Sequence, residues 1–132
     1  MTTSDRAAPG GELSLRVIAL ERDTNPNGDI HAGWLVSQMD LAASNTAGRL
    51  AEGRTATVSI KQLDFISPVR VGAEVSCYTR VEEIGTSSIH IEVEVWTRDL
   101  TSQQPRKVTE GKFVLVAIDA TGRIRPVPNK AR

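Results

Sequence analysis

The chain has 132 residues, which fits one domain of ordinary size with room for a core. Lys and Arg together number 16, as do Asp and Glu, so no bulk field exists to recruit nucleic acid or an acidic membrane. Cys77 is alone, which excludes an internal disulfide and fits a reducing compartment; with only His31 and His90 beside it, no dedicated metal site is expected.

Residues 1–11 are polar and small, without the apolar stretch of a secretory leader, and read as a disordered lead-in. No apolar run approaches the ~20 residues that a bilayer span needs. A single cytoplasmic domain over residues 12–128 is therefore expected, with residues 129–132 as a tail. Leu13 to Leu20 is a strand candidate, broken by the cluster Asn25-Pro26-Asn27-Gly28, since Pro fixes φ and Gly accepts positive φ. From Gly33 to about Leu50 the spacing of Leu35, Met39, Ala42, Thr46 and Leu50 follows helical steps, with Gly53 just beyond as a stop.

That helix carries almost no charge. Between His31 and Arg49 the only acidic residue is Asp40, and no Lys or Glu occurs. A helix that is small or apolar on nearly every face is normally buried. A carboxylate on it must then be desolvated for a reason.

The remainder reads as strand: Thr55 to Ile66, then Ala73 to Glu83 after turns at Ser67-Pro68 and Gly72. A hairpin turn at Gly85 to Ser87 leads to Ser88 to Arg98. There Ile89, Ile91, Val93 and Val95 point one way, and Ser88, His90, Glu92 and Glu94 the other. A last strand, Lys107 to Ile118, precedes the turn Asp119-Ala120-Thr121-Gly122. The class is thus α+β, an antiparallel sheet wrapped around one long central helix, because the sheet's apolar face has only that helix to cover. The helix's far side, expected to be lined by Ala, Ser and Thr, would then be exposed, so a second copy of the chain is expected to cover it.

A helix wrapped by an antiparallel sheet is the hotdog fold. The run DTNPNGDIHAGWLVSQMD, from Asp23 to Asp40, closely resembles the entry loop and helix of bacterial acyl-CoA thioesterases of the YciA type. The likeness continues through LDFISPVRVGAEVSCY, GTSSIHIEVEVW and VAIDATGRIRPVP, covering nearly everything from Leu15 to Pro128. The resemblance implies acyl-CoA hydrolysis, with Asp40 as base or nucleophile and Asn25 completing the site from a neighbouring subunit. It also implies dimers assembled by analogy as a trimer of dimers, and no cofactor beyond the CoA of the substrate. This chain has His31-Ala32-Gly33 where such enzymes usually show an aromatic and a double glycine.

The residue types suit that chemistry. Gly33 opens the helix, where first-turn N–H groups lack intrahelical partners and the dipole favours negative charge, so its N–H is a candidate oxyanion donor. Glycine there also lets a thioester carbonyl approach the backbone. Asp40 lies about two turns on, on a face shared with Val36, Ala43 and Ala47, and would activate water or attack the thioester.

For the CoA itself, the turn Gly85-Thr86-Ser87-Ser88 offers N–H groups near where related proteins bind the pantetheine arm and nucleotide. Among the cations Arg54, Lys61, Arg70, Arg80, Arg123 and Arg125, the substrate-binding choice is Arg123.

Plainer roles compete. Asp40 could be a solvated or interface residue, Asn25 and Asn27 ordinary turn residues, and Gly28 a turn glycine before it is a substrate contact. His31 could bind substrate or assist proton transfer, or it could cap or pack; Trp34 and Trp96 suit a core or interface. Two other functions are possible. One is a hotdog enoyl-CoA hydratase, since Asp23-Thr24-Asn25-Pro26 echoes the Asp-x-Asn-Pro-x-His signature, although Gly28 occupies the histidine's position and His31 follows three residues late. The other is a non-catalytic acyl-CoA-binding oligomer subunit.

Overall fold

In the computed structural model, which describes residues 8–128, the period-two patterns become five strands of one sheet and the uncharged segment becomes one helix. These are β1 (Glu12–Ile18), α1 (Ala32–Ala51), β2 (Thr55–Phe65), β3 (Glu74–Ile84), β4 (Ser88–Arg98) and β5 (Arg106–Ala117). The strands lie in the order β1-β3-β4-β5-β2, each antiparallel to its neighbours. The architecture is the hotdog fold. Residues 1–7 of the expected lead-in and the tail 129–132 lie outside the described residues. The last residues of the lead-in are packed: Gly10 N donates to Glu94 Oε1 at 3.2 Å.

β1 stops at Ile18, two residues before the expected Leu20. Glu21–Asp23 instead wind into a 3-10 turn, which the Asp23 carboxylate closes by accepting from Leu20 N at 3.0 Å. The other boundaries fall within a residue or so of expectation.

The helix buries Leu35, Met39, Ala42, Ala43, Ala47 and Ala51, and it touches all five strands. Opposite them lie the inward residues Val75, Cys77, Ile89, Ile91, Val93, Val95, Phe113 and Leu115, all fully buried. Alanines on the helix let the sheet come close. Gly111 on β5 serves the same fit, because a β-carbon there would stand 3.0 Å from Leu63 Cδ1 and 3.5 Å from Met39 Cε.

The far side of α1 differs from the expected Ala/Ser/Thr lining. The alanines turn inward, leaving an exposed i+4 stripe of Gly33, Ser37, Leu41, Asn45 and Arg49. Leu41 is 57% exposed. On the sheet's outer face Glu92 and Glu94 are buried as well. Arg80 reaches Glu92 at 2.7 Å, Trp96 Nε1 donates to Glu94 Oε1 at 2.9 Å, and Lys107 pairs with both Glu94 and Glu110.

Two features bear on the site. β2 is an edge strand of 11 residues whose outer side pairs with no strand among the described residues, and it exposes Val58 and Ile60. The C-terminus of α1 is held by Arg125, whose guanidinium donates to Ala51 O at 2.8 Å and to Ile118 O at 3.0 Å.

Candidate functional site

Asp40 stands half-buried on the flank of α1 that faces β2. Its Oδ1 accepts the hydroxyl of Thr57 at 2.5 Å, so one carboxylate oxygen is fixed. Thr57 sits where the β2–β5 register shifts, between Thr57 and Ser59. A bulge there re-aims a side chain. Sequence reading missed Thr57; it lies 17 residues from Asp40 in a stretch rich in Thr, Ser and Val, where nothing marks it out.

If the hydroxyl orients the carboxylate, Thr57→Val lowers kcat about tenfold, the effect of losing one hydrogen bond to a charged group. Thr57→Ser restores most of it. Equal kcat for Val and Thr in steady-state assays would make the contact merely structural.

At the helix start the Gly33 N–H does not stand open. His31, the N-cap residue, accepts it on Nδ1 at 3.0 Å. His31 thus caps the helix in the single chain.

The preceding loop is organised by Asn25. Its Oδ1 accepts from Asn27 N at 2.9 Å and Asp29 N at 3.2 Å, and its own N–H donates to Asp29 O at 2.7 Å. With the oxygen held by the turn, the Nδ2 amide is the group left to face a ligand. Gly28 has φ +88° and donates to Asn25 O at 3.0 Å, a turn glycine with open space around it. Asn25 also lines a cavity of about 330 Å³ beside the start of α1, whose apolar wall includes Ile30, Leu35, Phe65, Ile66 and Val69. Asp40 is not among the residues that line it.

The other expected group lies elsewhere. Gly85 N donates to Ser88 O at 2.8 Å to close the hairpin. The Thr86 and Ser87 carbonyls accept from Val127 N at 2.8 Å and Ala117 N at 2.9 Å. Arg123, exposed, belongs to the turn that abuts this hairpin, with its N–H donating to Asp119 Oδ1 at 3.0 Å. The structure does bring Gly85–Ser88 and Arg123 to one end of the molecule, but that is the Ala51 end of α1. Gly33 and Ala51 are separated by ~27 Å at 1.5 Å per residue.

Of the other cations, Arg80 is bound to Glu92 and Arg125 to the helix end. Among the described residues no group of three or more His, Cys, Asp or Glu side chains could hold a metal ion, and no helix is long and apolar enough to cross a membrane. Asp23 and His31 meet through the backbone, His31 N donating to Asp23 O at 2.7 Å, while the Asp23 carboxylate accepts from Leu20 N and the His31 ring from Gly33 N.

Residues 27–103 match the family model described as the thioesterase superfamily. The acyl-CoA thioester hydrolase YciA of Salmonella typhimurium is 47% identical over 131 residues, spanning 97% of this chain and 98% of that protein. Its Escherichia coli counterpart is 44% identical over 123 residues, with 91% and 93% covered. Among solved structures, a hexameric thioesterase from Yersinia pestis superposes with a TM-score of 0.89 at 44% identity, covering 92% of this chain and 99% of that one. A hexameric hotdog fold thioesterase of Campylobacter jejuni gives 0.87 at 35% identity, covering 92% and 93%.

Proposed function

The chain belongs to the thioesterase superfamily, and we propose that it hydrolyses acyl-CoA thioesters to a carboxylic acid and free CoA through Asp40. The observation that carries this reading is the half-buried Asp40 carboxylate, anchored on Oδ1 by the Thr57 hydroxyl. In the general-base route, Asp40 takes a proton from water, whose oxygen adds to the thioester carbonyl. The tetrahedral intermediate then collapses, the C–S bond breaks, and the CoA sulfur leaves and is protonated. In the nucleophilic route Asp40 Oδ2 adds to the carbonyl first, the C–S bond breaks as CoA leaves and is protonated, and water hydrolyses the resulting anhydride to the acid and the free Asp40 carboxylate. Both need the carboxylate, and both need a donor for the oxyanion, which the helix N-terminus supplies.

The working unit is a self-assembled one. An 11-residue edge strand whose outer side is unpaired among the described residues, with Val58 and Ile60 exposed, invites pairing with a second copy across a two-fold axis. Such an axis runs the two α1 helices antiparallel, so one chain's helix start and Asn25 loop approach the other chain's Asp40. It also moves the Gly85–Ser88 turn and Arg123 of one chain toward the site opened by its partner. That supports a composite site in which those groups take the CoA arm and the cavity by Ile30, Leu35 and Phe65 walls the apolar part of the substrate. Three such dimers would make the hexamer reported for the Yersinia and Campylobacter proteins. A cytoplasmic enzyme needing no cofactor beyond the CoA of its substrate completes the reading.

Release of free thiol from short to long acyl-CoAs, followed with a disulfide reagent, tests it. The protein's own thiol should stay silent in that assay. Cys77 is fully buried in the core, and burial pushes its pKa up to about 12, far from the thiolate form that reacts. The reagent should therefore count one further thiol per chain only after denaturant is added. Binding of acyl-CoA without thiol release would leave an acyl-CoA-binding protein, and loss of enoyl absorbance from crotonyl-CoA would point to hydration.

A further inference from the structure

Three first-turn N–H groups of α1 are accounted for, and they are not equivalent. Trp34 N and Leu35 N donate to the backbone carbonyl of His31, at 3.0 and 3.3 Å, and are locked into the helix. Gly33 N alone is satisfied by a side chain, the His31 imidazole, through Nδ1 at 3.0 Å. The ring also occupies the space above the glycine: a β-carbon built on Gly33 would stand 3.2 Å from Nδ1 and 3.3 Å from Cε1. His31, Ala32 and Gly33 are all exposed in the chain, so the ring can rotate away without disturbing core packing.

A carbonyl oxygen and Nδ1 cannot both accept the same well-aligned N–H. We propose that His31 is a positioning residue that acts as an exchangeable cap: its imidazole holds the Gly33 N–H in the empty enzyme and gives it up to the thioester carbonyl. The inference rests on the reading of Gly33 as oxyanion donor. Substrate must displace the ring, so part of its binding free energy is spent on breaking the cap and KM is set higher than the bare donor would give. In return the N–H is kept aligned between turnovers.

Kinetics with butyryl-CoA read this directly. His31→Ala removes both ring and acceptor, and KM falls about fivefold with kcat unchanged, the equivalent of one N-cap bond of ~1 kcal/mol. His31→Asn, whose side-chain oxygen can cap the same N–H, brings the higher KM back. A purely structural cap predicts a lower melting temperature for His31→Ala with KM unmoved. An unmoved or raised KM overturns the exchange. A second measurement needs no variant. Saturation of the native protein with acetonyl-CoA, a ketone that keeps the carbonyl and cannot be cleaved, should shift the Gly33 amide and His31 ring resonances together. A shift in one without the other, or in neither, overturns it. Asp40→Asn separates the failures: wild-type turnover in that variant would remove the catalytic reading, whereas the KM comparison and the paired resonances report on the Gly33 donor alone.

Discussion

Asp40→Asn should lower kcat for acyl-CoA hydrolysis by about a thousandfold, within the range that a positioned base contributes, while KM changes little. The substitution is chosen to spare the fold. An amide oxygen can still accept the Thr57 hydroxyl that Oδ1 accepts at 2.5 Å, and the neighbours Met39, Ala43 and Ala47 keep their packing against the sheet. What disappears is the ability to take a proton or to form an acyl bond, which an amide lacks. The measurement is thiol release under saturating substrate, with a thermal melt to show that the variant is folded. A folded Asp40→Asn protein turning over at the native rate would remove the proposed site. In single-turnover experiments with labelled water, label reaching Asp40 itself would identify the nucleophilic route with water attacking the aspartyl carbonyl of the anhydride.

The second large effect concerns the partner copy. Asn25→Asp keeps the oxygen that the Asn27 and Asp29 N–H groups donate to, and so keeps the turn, but removes the Nδ2 donor. This variant and Asp40→Asn should each be nearly inactive alone. If Asn25 of one chain serves Asp40 of the other, co-refolding equal amounts of the two restores about one quarter of native activity. Half of the dimers are then mixed, and each mixed dimer has one intact site of two. A site formed within one chain restores nothing, because every chain in the mixture lacks one of the two groups. Absence of recovery, with mixed oligomers shown by mass spectrometry, would overturn the composite site. The geometry of the single chain motivates the experiment: the cavity that Asn25 lines does not include Asp40.

Much of the frame could be read from residue order because it depends on local repetition. The alternation from Ser88 to Arg98 specified β4 to the residue, and the helical spacing from Leu35 to Leu50 placed α1 within a residue or so of its true ends. Asp40 drew notice because it is the only acid between His31 and Arg49. The less local the feature, the worse the reading became. The alanines of α1 were expected on its far side but turned to the sheet, because small residues allow the closest helix–sheet approach and sequence spacing does not say which flank that will be. Glu92 and Glu94 alternate like solvent-facing residues, yet Arg80, Lys107 and Trp96 arrive from other positions to bury them.

Residue order alone yields the inventory: an antiparallel sheet, one nearly uncharged helix with a lone carboxylate, a turn-rich loop before it, and a family likeness running nearly from end to end. Only the tertiary structure decided the partnerships. It put the Thr57 hydroxyl on Asp40, laid the His31 ring over Gly33, tied Arg125 to the end of α1, and set the Gly85–Ser88 turn a helix length away from the helix start. The physical reason is that periodicity reports which way a side chain points from its own backbone. Which group it meets depends on how the sheet bends and on where a bulge shifts the register, and those follow from packing the whole chain at once.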